Sequence, residues 1–371
     1  MMLRKRKALT ENDAVASELA LLSTIEPSEA AFVSCYLDTR VGKSACLQFV
    51  NDQARSVSAQ LEGRALLDFQ SAATMVARQV ERNWRADSQG MALFARSITG
   101  GRYLSVLHTA APLRDSMTVY RVPQILPLLE LQYTAPAFTL LQAREGTVQV
   151  LDVDAQQARP RAMAVGLRSQ QRLRGAVREA LHPTNGSSLA WLKRPLQRLR
   201  PILARSVSPM VLAGDADTLD AVSSALPRRI AAHLADTVSI PRRLDERAGI
   251  DHVRQHVMQT RRMLAKQLAA RLVQATSARG AAATGPFAAQ QALQEGSAGT
   301  LVVAADASTH AVFWDARIEL SRLAQQQGVP VVVADSDELR HLGGIGCLLT
   351  QRTETRAEPQ PVRYGTLDLV A

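Results

Sequence analysis

The chain has few cysteines and no hydrophobic run of membrane-spanning length. Only Cys35, Cys46 and Cys347 occur among its 371 residues. Because they are scattered and odd in number, they favour a reducing cytoplasm over a disulfide framework, and they lack the spacing of a zinc site. No apolar run approaches the ~20 residues that cross a bilayer, and the basic start lacks the apolar core of a secretory signal. We therefore expect a cytoplasmic, monomeric protein that holds no metal or other cofactor and does not bind a membrane.

Acidic residues are almost absent from one long stretch of this basic chain, whose net charge is +10. Between Arg159 and Arg205 the only acid is Glu179. Like charges at helical spacing repel unless a partner neutralises them, and guanidinium groups bind phosphate with paired hydrogen bonds. The stretch therefore favours contact with a polyanion, and a solvated helix face is the simpler alternative. The candidate RNA-binding residues are Arg168, Arg172, Arg174, Arg178, Lys193, Arg194, Arg198 and Arg200.

Alternating strand and helix patterns predict an α/β protein of three domains. The predicted domains are an N-terminal α/β domain at residues 1–133, a middle domain at 134–242 and an α/β/α sandwich at 243–371. Long helices are predicted at 47–67, 71–84 and 245–275, and a hairpin joins 91–95 to 103–107. We also predict a helix from Pro227 to about Ala235 and a loop from Ser277 to Gly285.

Three short patterns resemble chemical sites, and each has a simpler structural interpretation. Gly42-Lys43-Ser44 matches the end of a phosphate-binding loop, but Leu37 stands where that loop requires a glycine. His252 and His256 lie one helical turn apart without an evident third metal ligand. Four aspartates follow predicted strands, where they would either hold Mg²⁺ in a nuclease or serve as turn and cap residues. They are Asp152, Asp154, Asp215 and Asp217.

A glycine cluster near the C-terminus separates two apolar strands. Gly343, Gly344 and Gly346, with Ile345 between them, permit backbone angles closed to other residues. Together with Val211–Asp217, Ala289–Val303 and Val33–Leu37, taken in chain order, this motif resembles the superfamily of archaeal and eukaryotic class-one translation release factors and Pelota, specifically its Balon-like bacterial branch. The resemblance spans nearly the whole chain and depends on the order of the motifs.

The resemblance implies a ribonuclease-H-like middle domain, an L7Ae-like last domain and a first domain for the decoding site. It also implies a ribosome as partner, with ribosomal RNA as the main contact, tRNA as a candidate second contact and a GTPase as a candidate partner. Release factors place a water with a Gly-Gly-Gln loop, and this chain has no such loop and no Asn-Ile-Lys-Ser codon-reading motif. The expected function is therefore a non-catalytic factor that occupies the ribosomal A site in ribosome hibernation or in the handling of stalled ribosomes.

Two other functions remain open on the sequence. One is an enzyme: a peptidyl-tRNA hydrolase or a ribonuclease-H-like nuclease with a diverged loop. The other is binding to an anionic membrane surface or an acidic partner, through Arg4–Lys7 and the arginines of the middle domain.

Overall fold

The computed structural model describes residues 12–97, 101–144, 147–155, 157–165, 190–206, 208–277, 282–305 and 311–350. These residues form helices and three β-sheets, which confirms the predicted α/β class. They make up two compact units: unit 1 combines the residues before Ala137 with those from Gln259 onward, and unit 2 runs from Ala137 to Met258. The division into three domains stays a prediction. None of the described helices combines the length and the apolar character that crossing a bilayer requires.

The first sheet of unit 1 is antiparallel, with strand order β3-β2-β1-β4. The side chains of β1 alternate between the two faces of the sheet. Val33, Cys35 and Leu37 contact the two long helices that follow, whereas Tyr36 faces the opposite side. There the Tyr36 hydroxyl donates to the Gln124 carbonyl at 2.6 Å. The elements are α1 (Asn12–Ser23), β1 (Phe32–Asp38), α2 (Lys43–Ser58), α3 (Gly63–Arg82), β2 (Gly90–Arg96), β3 (Tyr103–Thr109), β4 (Ser116–Tyr120) and α4 (Leu126–Thr134).

The boundary predicted between the first two long helices, at residues 68–70, is wrong. The chain breaks earlier, before α3, where Gly63 has φ +57°. Asp68 does not end a helix, because it is buried inside α3 and its carboxylate accepts a hydrogen bond of 2.9 Å from the Ser97 hydroxyl. Phe69 can therefore continue the apolar stripe of α3 against the sheet.

Unit 2 contains a five-stranded sheet with order β7-β6-β5-β8-β9. Strands β5, β6 and β7 are antiparallel neighbours, and β8 and β9 run parallel to β5. Leu199 of α5 packs on one face of the sheet, and Val253 of α8 packs on the other. The elements are β5 (Phe138–Arg144), β6 (Thr147–Val153), β7 (Ala158–Val165), α5 (Ala190–Leu203), β8 (Met210–Gly214), α6 (Ala216–Ala225), α7 (Arg228–Ala231), β9 (Leu234–Ser239) and the first part of α8 (Glu246–Ser277).

The helix predicted from Pro227 to Ala235 is wrong beyond its first turn. Helix α7 ends at Ala231, and Leu234 already begins β9. The strand forms because its backbone pairs with β8 and Val238 enters the core, which together outweigh the helical preference of the preceding alanines.

The second sheet of unit 1 has order β10-β13-β11-β12. Val302 faces Ala269 and Leu272 of α8, whereas Cys347 lies on the opposite face with its sulfur 3.9 Å from the Ala289 carbonyl. The loop predicted at Ser277–Gly285 is wrong at Ala282–Thr284, which pairs with β13. The elements are β10 (Ala282–Thr284), α9 (Pro286–Gln294), β11 (Ala298–Ala304), α10 (Ala311–Gln327), β12 (Val331–Ala334), α11 (Asp337–His341) and β13 (Ile345–Leu349).

Candidate nucleic-acid interface

The basic helix α5 is amphipathic and is held on the sheet of unit 2 by leucines. Leu196, Leu199 and Leu203 recur at helical spacing and are buried in the cluster that also contains Leu141 and Val150. Pro195 and Pro201 lie within the helix and supply no backbone N–H. Packing rather than helix propensity therefore stabilises this segment.

The solvent-exposed side of α5, which we call its exposed face, carries arginines. Arg194, Arg198 and Arg200 are all exposed, and no carboxylate among the described residues pairs with them. Arg194 and Arg198 lie one turn apart and repel each other in the absence of an anion, and Arg200 adds positive charge on the flank of the helix. The face thus has the charge and the donor geometry that bind phosphate groups.

The rest of the predicted RNA-binding set is only partly accounted for. Lys193 has its backbone in α5. Arg168, Arg172, Arg174 and Arg178 lie outside the described residues. Their role stays a prediction.

A β-bulge places one further arginine beside α5. The pairing of β6 with β7 shifts between Val150 and Leu151, which leaves Arg161 as the extra residue. Its Nη1 lies 3.4 Å from Oδ1 of Asp152 and 3.3 Å from Oγ of Ser206. Arg161 belongs to the acid-poor stretch of the sequence, and the structure places it on the edge strand β7.

Asp152 and Asp215, two of the four candidate aspartates, do not come together. Asp152 is opposite Thr139 at the start of β5, whereas Asp215 follows Gly214, which is opposite Ala143 near the end of β5. At ~3.3 Å per residue the two positions are separated by about 16 Å along the strands, far beyond the ~2.1 Å at which oxygen ligands hold Mg²⁺. One magnesium ion therefore cannot bind both.

Two of these aspartates have the turn and cap roles that the sequence allowed. Asp154 Oδ1 accepts from the backbone N of Gln157 at 2.8 Å, and Asp215 Oδ1 accepts from the backbone N of Thr218 at 3.1 Å at the start of α6. Within the described part of the chain no three His, Cys, Asp and Glu side chains group as a metal site. Of the predicted histidine pair, His256 has its Nε2 3.1 Å from Oδ2 of Asp236 on β9.

The carboxyl end of the parallel strands, where ligands commonly bind in such sheets, carries a cation. The Arg144 guanidinium donates to the carbonyls of Leu244 at 2.6 Å and Arg242 at 3.1 Å. Next to it, Nε2 of Gln149 donates to Oε1 of Gln142 at 2.6 Å and to Oε1 of Glu246 at 3.0 Å. Sequence reasoning missed Arg144, because a donor to distant backbone carbonyls leaves no local signal in the sequence.

The remaining motifs have structural roles. Lys43 donates to the Glu81 carbonyl at 2.8 Å, and Gly42, at φ +95°, turns the chain into α2. Gly343 and Gly344 have φ values of +91° and +72° and lead from α11 into β13. A side chain at Gly346 would come within 2.9 Å of the Ala283 carbonyl, so this glycine permits the close pairing of β10 with β13.

Comparisons with known proteins give structural similarity alone. No family model and no curated protein matches the sequence. An archaeal translation termination factor, aRF1, is 13% identical with a TM-score of 0.28, over 91% of this chain and 97% of that one. Archaeal Pelota, from a model of ribosome-bound Pelota and ABCE1, is 15% identical with a TM-score of 0.40, over 91% and 95%. Dom34 of S. cerevisiae is 11% identical with a TM-score of 0.37, over 71% and 81%. At these TM-scores the similarities establish neither a family nor an activity for the chain.

Proposed function

We propose that the chain belongs to the bacterial branch of the release factor and Pelota superfamily. In this proposal it is a non-catalytic factor that occupies the ribosomal A site, in ribosome hibernation or in the handling of stalled ribosomes. The observation that carries the proposal is the exposed face of α5, where Arg194, Arg198 and Arg200 have no carboxylate partner among the described residues. Ribosomal RNA supplies the dense phosphates that such a face requires.

Two further features support the assignment of domains. In unit 2, an antiparallel β5–β6–β7 meander is followed by two strands parallel to β5, the strand order of the ribonuclease-H-like fold. In unit 1, the sheet of β10 to β13 lies between α8 and α9, as expected for an L7Ae-like layer arrangement. Delivery by a GTPase, a cytoplasmic location and a monomeric state belong to the same proposal.

The nuclease alternative loses its main support, because Asp152 and Asp215 lie at opposite ends of β5. Converting each aspartate to asparagine tests it directly. Under our proposal RNA cleavage by purified protein stays at background in wild type, Asp152→Asn and Asp215→Asn alike. A cleavage activity that either substitution abolishes would restore the nuclease.

Sedimentation of lysates through sucrose gradients tests ribosome binding. We expect the wild-type protein in ribosomal fractions at low salt, and its loss from them when Arg194, Arg198 and Arg200 are replaced by glutamine. The pair Arg228→Gln and Arg229→Gln on α7 is the matched control, since both side chains are exposed arginines of the same unit. Absence of the wild-type protein from ribosomal fractions, in growing and starved cells alike, would refute the proposal.

A further inference from the structure

A groove in unit 1 combines an exposed aromatic side chain with a pair of guanidinium groups. It lies along α9 and α10, has a volume of about 890 Å³ and reaches Tyr120 at the end of β4. We call it the α9–α10 groove. None of its residues belongs to the basic surface of unit 2, so its function is independent of the one proposed above.

The apolar half of the groove is built around Phe287. This side chain is 81% exposed at the start of α9, next to Pro286, and the facing wall contains Leu320 and Leu323 of α10. Leaving a phenylalanine in water forgoes the ~1.5–3 kcal/mol that its burial provides. Large aromatic side chains beside an apolar pocket are typical anchors of protein interfaces.

The polar half carries more positive than negative charge. Glu319 Oε1 lies 3.1 Å from Nη2 of Arg121, and its Oε2 lies 3.2 Å from Nη1 of Arg322. Arg322 is only 5% exposed, and its Nε has no hydrogen-bond partner among the described residues. Arg121 remains largely exposed above the Tyr120 ring, at 5.6 Å from its centroid. Two guanidinium groups thus share one carboxylate, and a second carboxylate would balance the charge.

We propose that the α9–α10 groove docks an amphipathic segment of another protein that carries a carboxylate and a large apolar side chain. The carboxylate binds at Arg121, the exposed guanidinium of the pair, and the apolar side chain packs between Phe287 and Leu323. A protein segment fits better than RNA, because the groove offers one exposed guanidinium instead of a basic surface and one exposed aromatic side chain instead of a stacking platform.

Selection from a phage-displayed library of random 16-residue peptides tests the proposal on the full chain. Peptides that also bind the Arg121→Gln/Phe287→Ala double variant are removed by counter-selection. We expect the enriched peptides to contain an acidic residue and a large apolar residue. In fluorescence anisotropy, Phe287→Ala should lower the affinity for the enriched peptides at least tenfold, and Arg121→Gln should lower it at least fivefold. Met263→Ala is the matched control, because Met263 is a 61% exposed apolar side chain on α8, outside the groove.

Several outcomes would overturn the proposal. They are the absence of enrichment over the double variant, enriched peptides without acidic residues, and affinities that Phe287→Ala leaves unchanged. A fluorescein-labelled 20-nucleotide single-stranded RNA serves as the competing probe. If its binding depended on Phe287, the groove would be assigned to nucleic acid instead. Thermal unfolding of both single variants shows whether the fold is retained, so that a loss of binding is not mistaken for a loss of structure.

Discussion

The guanidinium of Arg322 donates a hydrogen bond of 2.9 Å to the backbone carbonyl of Ser23, 299 positions earlier in the chain. It also donates to the Ile25 carbonyl, and the amide of Gln326 reaches Ser23 at 2.6 Å. Burial lowers the pKa of the Arg322 guanidinium from its ordinary value, and the neighbouring Glu319 carboxylate opposes that shift. These bonds hold the segment after α1 on α10.

Arg322→Met should therefore destabilise the protein strongly. The substitution keeps the aliphatic stem but leaves the part-buried Ile25 carbonyl without its donor and removes one of the two donors to each of the Ser23 carbonyl and the Glu319 carboxylate, at a cost of about 2–4 kcal/mol. Urea unfolding measures the loss. Arg121→Met is the matched control, because Arg121 binds the same Glu319 from the solvent side and its loss should be within error. Equal destabilisation by the two variants would contradict the role given to Arg322.

Gly346→Ala should destabilise the second sheet of unit 1. The added methyl would lie 2.8 Å from Cδ2 of Leu272 and 2.9 Å from the Ala283 carbonyl, and the backbone atom cannot move away easily. Such overpacking costs about 1–3 kcal/mol. In Gly299→Ala, on β11, the nearest atom is a Thr350 methyl at 3.1 Å. We expect a smaller loss of unfolding free energy there, and a larger one would show that the close approach at Gly346 is not limiting.

His108 on β3 should make stability fall at mildly acidic pH. Burial first, and then the charge of Arg85, hold its pKa below the ordinary 6.5. Its Nδ1 is buried without a hydrogen-bond partner among the described residues. Because the unfolded chain binds the proton more readily, this contribution is fully present above the ordinary pKa and is lost as pH falls below it.

Urea unfolding of wild type and His108→Gln, at several pH values on both sides of that pKa, tests this. The acid-side slope should be shallower in the variant. His341→Gln, at an exposed histidine on α11, should keep the wild-type slope. An unchanged slope in His108→Gln would assign the acid sensitivity to other groups.

The arginines of α5 should set the salt dependence of RNA binding. Each phosphate contact to a single strand adds about 0.7 to the slope of log K against log salt, so replacing Arg194, Arg198 and Arg200 by glutamine should lower its magnitude by about 2. Fluorescence anisotropy with a 20-nucleotide single-stranded RNA measures the slope. Replacing Arg228 and Arg229 should leave it unchanged. A slope lowered equally by both sets would show that RNA contacts are spread over unit 2.

The sequence predicted the central elements well, and the four strands that it missed share a physical cause. The helix at Glu246–Ser277 was predicted correctly from its apolar period, and strands β11 and β12 from unbroken apolar runs that are buried in the structure. Strands β4, β7, β9 and β10 were missed, and each lies at the edge of its sheet. An edge strand has one neighbour and partly exposed side chains, so residues such as Arg159 and Asp236 dilute its apolar alternation.

The candidate sites divide in the same way. The positive charge of α5 can be predicted from the sequence, because the lack of acidic residues there is a property of the sequence itself. The α9–α10 groove cannot, since Phe287, Arg121 and Arg322 meet only after distant segments pack together. The separation of Asp152 from Asp215 likewise depends on strand register, which the sequence alone left open.

Unit 1 is discontinuous, and this imposes an order on biosynthesis. Among the described residues unit 2 is a continuous insertion between its two parts, so it is synthesised before the second part of unit 1. At ~5–20 residues per second, the 299 positions between Ser23 and Arg322 take about 15–60 s to polymerise. Throughout that interval Leu19 and Leu22, buried in the finished protein, have no α10 to cover them. The nascent N-terminal segment is therefore where we expect chaperones to bind first.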